Sequence, residues 1–224
     1  PPPVDAISRE RLEAAIGARP LFVAASTHAG EEVILAEAHR ILAREFEGLI
    51  TMIAPRHPER GTGLAEELKA RGFHVAQRSA GVLPGARTEI YIADTIGELG
   101  TFYAMSPVAF VGGSLVDRGG QNPIEAVRHG AAVITGPNWR NFAVEYTALL
   151  KRSGAIEVRT ADDIADAIRR LARNADELDR MRAGAKSALA ALSGALALTV
   201  DALSAMLTSP AGEGAATEEM LRAS

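Results

Sequence analysis

The chain has 224 residues, of which 47% are hydrophobic and 23% charged, and its formal net charge is −4. This is the composition of a folded globular protein, and its acidic balance argues against a nucleic-acid partner, which normally requires a basic surface. No run approaches the roughly 18 apolar residues needed to span a membrane, and the absence of cysteine excludes disulfides.

Residues 1–19 predict a linker followed by a lead-in helix. The sequence opens with PPPVD, and consecutive prolines are typical of a linker rather than of a helix interior or a central strand. We therefore expect the chain to be a fragment of a longer protein, with its sheet domain beginning near residue 20.

Short apolar runs alternate with helical patterns throughout residues 20–207. The runs lack polar–apolar alternation, which indicates strands buried on both faces, and the segments between them have helical periodicity. We predict strands at 20–26, 48–55, 73–79, 89–95, 107–113, 131–137 and 155–159. Helices are predicted at 30–46, 58–72, 123–130, 141–153 and 161–173. The fold class is therefore α/β, a doubly wound Rossmann-like parallel sheet with helices on both faces.

Two further helices, 175–192 and 194–207, are predicted at the C-terminal end of this domain. The stretch 181–207 is rich in Ala and Leu and has no basic residue beyond its first six, whereas a membrane-surface helix needs a Lys- and Arg-rich face. We therefore expect it to pack on the sheet or across a domain boundary. Residues 208–224 are expected to form a flexible tail.

Polar loops follow five of the predicted strands. The carboxyl ends of parallel strands meet at one edge of a sheet, and ligands bind at that edge, so we expect these loops to build the binding site. They are STHAGEE (26–32), PRHPER (55–60), ADTIGEL (93–99), GGSLVDRGGQNPIE (112–125) and TGPNWRNF (135–142). Their small residues, hydroxyls, Asn, Arg and His are suited to a phosphorylated ligand.

Arg56 and His57 are the candidates least easily explained by structure alone. Both precede a predicted helix, whose positive N-terminal end would repel them unless an anion lay between. The rigid donor fork of Arg56 also suits a phosphate. Ser26, by contrast, is explained equally well as a cap of the next helix, and the same holds for Asp94 and Thr95.

The loop after the fifth strand contains Gly112-Gly113 and a second glycine pair within ten residues, and glycine pairs are costly to order. A Gly-Gly turn allows backbone N–H groups to face a phosphate, and Pro123 starts a helix whose N-terminus points to the same place. Glu125, in the first turn of that helix, either binds ribose hydroxyls or complements the helix dipole.

Several other kinds of site are not supported. The sequence has no GxxxxGK[ST] loop, and VGGSLVDRGG does not have the spacing of a dinucleotide-binding GxGxxG. The His and Glu residues of HAGEE (28–32) do not have a standard metal-ligand spacing, so no metal site is predicted. His39, His74 and His129 lie without obvious acidic partners and are expected on the surface.

Taken together, the loops resemble the C-terminal half of the 3-deoxy-D-manno-octulosonic acid (Kdo) transferases of lipopolysaccharide synthesis. The segments AASTHAGEE, PRHPER, ADTIGEL, AFVGGSLVDRGGQNPIEA and GPNWRNF follow the family's order and are near its spacing. The resemblance implies one half of a GT-B fold, which binds the donor CMP-Kdo. It also implies an inverting transfer to a lipid A precursor, with no metal and no cofactor besides the donor substrate.

The resemblance also implies roles for single residues. Arg56 would bind the donor phosphate, Glu125 the ribose, and Asn141 would approach the donor or the domain interface. The remaining donor-binding residues implied are Ser26, His57, Asp94, Thr95, Gly97, Gly112, Gly113, Ser114 and Asn122. The chain departs from the family pattern at three places, where Gln121 replaces a usual His, Ala29 a usual Glu, and Asn138-Trp139 alter the sequence GPH.

Partners and location follow from the same resemblance. An N-terminal domain outside this chain would bind the lipid A precursor and supply the catalytic base, so we expect no catalytic residue here and no activity from the isolated domain. The full-length protein would lie at the cytoplasmic face of the inner membrane, with this fragment soluble. The alternatives are another GT-B-type enzyme, such as a UDP-sugar transferase or a nucleotide-sugar epimerase, and a non-catalytic nucleotide-binding module.

Overall fold

The computed structural model describes residues 2–208, and the exposure of side chains as far as residue 194. Within these residues the strands are β1 Leu21–Thr27, β2 Ile50–Pro55, β3 Val75–Gln77, β4 Ile90–Ile92, β5 Val108–Val111, β6 Ala132–Thr135 and β7 Ala155–Glu157. The helices are α1 Ala6–Ile16, α2 Glu31–Leu42, α3 Gly61–Ala70, α4 Leu99–Ala104, α5 Ile124–Arg128, α6 Ala143–Lys151, α7 Ala161–Arg173 and α8 Ala175–Thr208. Short 3-10 turns, Pro58–Arg60 and Arg140–Phe142, precede α3 and α6.

All seven strands belong to one parallel sheet in the order β3-β4-β2-β1-β5-β6-β7. The chain places β2, β3 and β4 on one side of β1, with β4 between β2 and β3, and then crosses over to place β5 on the other side of β1. The carboxyl ends of β1 and β5 therefore flank the point where the strand order reverses, which is where open α/β sheets bind ligands. The predicted fold class is confirmed.

The sheet is apolar on both faces because helices cover both. Successive residues of β2 illustrate this, since Met52 packs in one apolar layer and Ile53 in the other, and both are fully buried. Strands β2, β5 and β6 are buried at every position, which explains why they appear in the sequence as uninterrupted apolar runs.

The predicted lead-in helix is present as α1, and it packs on the sheet domain. Asp5 caps it by accepting hydrogen bonds from the amides of Ile7 and Ser8. Its apolar side chains Leu12 and Ile16 are buried in the same layer as Phe102 of α4. Helix α1 therefore contributes to the core that supports the loop after β4.

The sequence predicts two helices at the C-terminal end of the chain, but the structure has one, because α8 continues through Gly194 without a break. A glycine inside a helix costs only about 1 kcal/mol relative to Ala, and the Ala and Leu residues on both sides favour the helix. The compact domain ends at Leu189, and the rest of α8 belongs to a second unit. No helix in the described part of the chain is long and apolar enough to cross a membrane. The tail predicted after residue 208 lies outside the described residues.

Strands β3 and β4 are also shorter than predicted, with three residues each instead of runs of seven. Their length is set by register rather than by composition. Val75, Ala76 and Gln77 pair with Ile90, Tyr91 and Ile92, and after these pairs the backbone turns away to form the loops at the carboxyl edge.

Candidate binding site at the carboxyl ends of the strands

A cavity of about 400 Å³ opens at the carboxyl edge of the sheet, beside the point where the strand order reverses. The loops after β1, β2, β4 and β5 form its walls. Six of the residues predicted from the sequence line it: Ser26, Arg56, Thr95, Gly97, Asn122 and Glu125. The structure therefore brings together side chains that are up to 99 positions apart in the sequence.

The cavity also has an apolar wall that the sequence analysis missed. Ile96, Leu99 and Phe102 line it together with Pro55 and Pro58. Ile96 is 88% exposed, which is unusual for a large apolar side chain inside a polar loop. That isolated Ile was the sequence signal that could have revealed this wall. An apolar surface next to a few polar groups is typical of sites that bind small organic ligands.

Ser26 has a strained backbone at the end of β1. Its φ of 55° lies in the left-handed region that non-glycine residues rarely adopt, and the pairing of β1 with β2 shifts register between Ala25 and Thr27. The alternative that Ser26 caps α2 is wrong, because the helix begins at Glu31 and its N-cap, Gly30, makes no side-chain capping bond. Strain of this kind is concentrated at functional sites.

Arg56 has an exposed guanidinium at the cavity wall. Its backbone amide donates to the carbonyl of Thr27 at 2.9 Å, which fixes the start of the loop. Among the described residues its side chain has no hydrogen-bond or ion-pair partner, whereas Arg60, four positions later, is paired with Glu32 at 2.9 Å. The two arginines therefore differ in role, since Arg60 anchors the loop and Arg56 remains available for an anion.

His57, the neighbour of Arg56, does not line the cavity. Its imidazole is about half exposed and lies 3.5 Å from the Glu59 carboxylate. Its ring centre is 5.7 Å from that of His28, in an edge-to-face arrangement. The predicted residue thus lies beside the cavity, next to a histidine that was not included in the predicted set.

The prediction that backbone amides of the glycine loop face a phosphate is wrong for Gly113 and Ser114. Both donate to the carboxylate of Glu31, at 2.7 and 2.9 Å, and the amides of Leu115 and His28 do so at 2.9 and 2.8 Å. Glu31 is fully buried, and this burial raises its pKa while the four amides act in the opposite direction. The Glu31 carboxylate thus accepts from the backbone amides that the glycine pattern predicts to face a ligand.

The side chain of Ser114 is also used within the protein. Its hydroxyl donates to the carbonyl of Val111 at 2.7 Å and accepts from the amide of Gly136 at 2.8 Å, and the residue is fully buried. Ser114 therefore joins the ends of β5 and β6 and does not reach the cavity.

Close backbone packing explains the glycine pairs. A Cβ atom at Gly112 would lie 2.5 Å from the carbonyl oxygen of Ser26, and one at Gly119 would lie 2.5 Å from the side-chain amide of Asn141. Asn141 itself donates to the carbonyl of Arg118 at 3.1 Å. Gly112, Gly113 and Asn141 therefore shape the loop that carries Asn122 to the cavity, and they do not line the cavity themselves.

Asp94 is a buried structural acceptor rather than part of the cavity wall. Its carboxylate accepts from the amide and hydroxyl of Ser79 and from the side chain of Gln77, at 2.7 to 3.0 Å. Thr95 does line the cavity, and its hydroxyl donates to Glu98. Neither residue caps α4, whose N-cap is Glu98.

Asn122 and Glu125 connect the glycine loop to the cavity. The Asn122 side chain accepts from the amide of Ile124 at 3.0 Å and so satisfies an open donor in the first turn of α5. Glu125 is half-buried and lines the cavity, and its carboxylate has no hydrogen-bond or ion-pair partner within residues 2–208. The carboxylate of Glu125 is therefore available to accept hydrogen bonds in the cavity.

The prediction that three histidines lie on the surface is wrong for two of them. His39 is 1% exposed, its Nδ1 lies 2.9 Å from the Thr51 hydroxyl, and burial lowers its pKa to about 4. His129 is half-buried and stacks on Tyr103. His74 is on the surface as predicted, although it does have an acidic partner.

The part of the chain that the structure describes contains no group of three or more His, Asp and Glu side chains arranged to hold a metal ion. The side chains of the cavity indicate the kind of ligand that fits it. They offer a cation for an anionic group, a carboxylate for hydroxyl donors and an apolar wall for a planar ring.

The sheet order and the cavity at the reversal point define a Rossmann-like domain of the kind found in GT-B glycosyltransferases. A solved structure titled the C-terminal CMP-Kdo binding domain of WaaA from Acinetobacter baumannii aligns with a TM-score of 0.77 and 28% identity. The alignment covers 82% of this chain and 96% of that one.

Curated relatives give the same result at the level of sequence. The 3-deoxy-D-manno-octulosonic acid transferase of Haemophilus influenzae is 38% identical over 186 residues, and that of Bordetella pertussis is 35% identical over 189 residues. No family profile matches the chain. The chain belongs with the Kdo transferases, as the sequence resemblance indicated. Each alignment covers 83% of this chain but 44% of the relative, so the chain spans less than half the length of these proteins.

Proposed function

We propose that this chain is the donor-binding domain of a Kdo transferase of lipopolysaccharide synthesis, and that it binds CMP-Kdo in the cavity at the carboxyl edge. The observation that carries the proposal is that two oppositely charged side chains, which do not pair with each other, line one cavity. Arg56 and Glu125 both line it, and neither has a partner in the described part of the protein. A nucleoside monophosphate offers an anion for the first and ribose hydroxyls for the second.

The chemistry of the donor agrees with this arrangement. In a transfer reaction the bond between the sugar and the phosphate oxygen of CMP breaks, and its electron pair remains on the phosphate, which gains negative charge. A guanidinium held next to that oxygen stabilises the leaving group, and such fixed charges are a large contribution to catalysis. We propose Arg56 for this role, and no metal or other cofactor is part of the proposal.

The acceptor side of the reaction belongs to the rest of the protein in this proposal. A preceding domain would bind the lipid A precursor and supply the base that deprotonates the attacking hydroxyl, and the complete enzyme would act at the cytoplasmic face of the inner membrane. The length of the curated relatives supports a second domain, because this chain accounts for 44% of them.

Calorimetry on the isolated chain tests the proposal. Half of an interdomain cleft leaves the ligand partly in water, so we expect CMP to bind with a dissociation constant of about 1 mM, or roughly −4 kcal/mol. UMP and NAD should bind more weakly. Arg44→Gln should leave the affinity for CMP unchanged, because Arg44 is exposed in the turn after α2, which leads into the amino end of β2. Equal binding of CMP, UMP and NAD would contradict the assignment.

A further inference from the structure

A cluster of basic groups lies just outside the cavity and has no role in the proposed nucleotide contacts. His28 follows β1, His57 follows β2, and Arg118 lies in the loop after β5, so three neighbouring strands bring them to one edge. The two imidazole rings are 5.7 Å apart. Gln121 lies between this cluster and the cavity, because it lines the cavity and its amide nitrogen is 3.1 Å from Nε2 of His28.

The hydrogen bond with Gln121 orients His28. The amide nitrogen can only donate, so Nε2 of a neutral His28 accepts, and its proton is on Nδ1. That nitrogen remains available to donate to a ligand.

The cluster includes a positive charge, that of Arg118, which no neighbouring carboxylate in the described residues neutralises. Glu32 is already paired with Arg60. The Glu59 carboxylate lies 3.5 Å from Nδ1 of His57, and the Glu59 side chain is three-quarters exposed. Arg118 is exposed and has no ion-pair partner among the residues described. Burial lowers the pKa of His28, and His57, Arg118 and Arg60 lower it further, against a smaller opposite effect of Glu32. The site therefore favours a negative charge from outside the protein.

The position of the cluster relative to Arg56 indicates which negative charge this would be. Arg56 and His57 are consecutive, with Arg56 at the cavity wall and His57 beyond it. Gln121 lines the same cavity and contacts His28, so the cluster borders the space in which a group attached to a phosphate held by Arg56 would lie. The donor of the proposed function carries two anionic groups at neutral pH, the phosphodiester and the carboxylate of its sugar acid, and Arg56 accounts for one.

We propose that His28, His57 and Arg118 form a second anion subsite that binds the carboxylate of the donor's sugar acid. The proposal rests on the proposed function, and it adds the group by which the domain distinguishes an acidic sugar from a neutral one. His28 donates from Nδ1, Arg118 contributes a positive charge, and the imidazole of His57 lies beside them. Ion pairs at exposed positions are weak, so the three groups together should favour the acid over an uncharged analogue by about five- to tenfold.

The test compares three ligands on the 224-residue chain by calorimetry: CMP, CMP-Kdo and the methyl ester of CMP-Kdo. Wild-type protein should bind the acid about five- to tenfold more tightly than the ester. The variant His57→Asn/Arg118→Gln changes two exposed side chains and should fold normally. It should lose most of this preference while its affinity for CMP stays the same. His28→Asn should reduce the preference further, and Arg44→Gln should leave it unchanged.

Two outcomes would overturn the inference, and they are distinguishable. If the variants bind CMP normally and still prefer the acid as strongly as wild type does, the cluster is not the carboxylate subsite, and the proposed function stands. If wild-type protein binds none of the three ligands, the proposed function fails and the subsite fails with it.

Discussion

Glu125 illustrates how the surroundings of a single carboxylate favour one role over another. A carboxylate in the first turn of a helix contributes about 0.3–1 kcal/mol by complementing the helix dipole. Helix α5 has only five residues, and Asn122 already bonds the amide of Ile124. The dipole role is therefore small here, while the position of Glu125 on the cavity wall favours a ligand role.

For Glu125→Gln we expect the affinity for CMP to fall and the melting temperature to change little. An amide can accept at only one of its two terminal atoms, so it cannot bond two ribose hydroxyls as a carboxylate does. Calorimetry with CMP and 2′,3′-dideoxy-CMP measures this directly. Wild type should prefer CMP, and the variant should lose that preference. Equal weakening of both ligands would mean that Glu125 does not bind the ribose.

For Arg56→Ala in the full-length enzyme we expect a loss of about 1.5–3 kcal/mol in donor interaction, the range for a charge-assisted hydrogen bond. Its unfolding free energy should stay within about 0.5 kcal/mol of wild type, because the side chain is exposed and has no partner in the described residues. Arg44→Ala removes the same charge elsewhere and serves as the control. Unchanged donor affinity together with a lower melting temperature would assign Arg56 a structural role instead.

At the scale of elements, the glycine loop shows what local sequence can and cannot predict. The alternation of strands and helices was predictable, because strands buried on both faces are continuous apolar runs. The lengths of β3 and β4 were not, since register with neighbouring strands sets them. The pattern around Gly113 suggested free amides, but their acceptor is Glu31, 82 positions earlier. Only the folded chain shows that contact.

Glu31→Gln should therefore destabilise the protein strongly although Glu31 is not on the cavity wall. The glutamine side chain keeps one acceptor oxygen and replaces the other by an NH2 group, which is a donor. Some of the four backbone amides that Glu31 now satisfies therefore lose their acceptor. An unsatisfied buried donor costs about 1–3 kcal/mol. Urea unfolding should show a loss of about 2–3 kcal/mol.

Glu37→Gln is the matched control for this measurement, because Glu37 is on the same helix and pairs with Arg40 at the surface. Such a pair is worth about 0.5 kcal/mol or less. If Glu31→Gln costs no more than Glu37→Gln, the carboxylate does not hold the glycine loop, and the explanation given for that loop is wrong.

At the scale of the whole molecule, stability depends on pH through a buried group far from the binding site. His39 is 1% exposed between α2 and the sheet, and no partner for its Nε2 is present in the described structure. Its pKa of about 4 in the folded protein compares with 6.5 for an ordinary His. The unfolded chain thus binds more protons between these values, so stability falls as pH falls from 6.5 toward 4.

The His39 contribution can be isolated by comparing wild type with His39→Gln. Each pKa unit corresponds to about 1.4 kcal/mol, so at most about 3 kcal/mol of wild-type stability should be lost across this range through His39. Glu31 acts in the opposite direction because its pKa is raised, and the difference between the two proteins removes that effect. His74→Gln is the exposed control. Parallel stability curves for wild type and His39→Gln would contradict the prediction.

The proposal that the acceptor site and the base lie outside this chain leads to a prediction about its activity in isolation. The chain presents the cavity that we propose for the donor, and it accounts for 44% of the length of the curated relatives. Holding two reactants in the right geometry supplies roughly 7–11 kcal/mol of a barrier reduction, and a domain that binds one reactant cannot provide it. We therefore expect the 224-residue chain to bind CMP but not to transfer sugar from CMP-Kdo to a lipid A precursor. The full-length protein, assayed in parallel at the same donor concentration, should transfer it. Transfer by the isolated chain at a rate comparable with the full-length protein would mean that the acceptor site and the base lie within these residues.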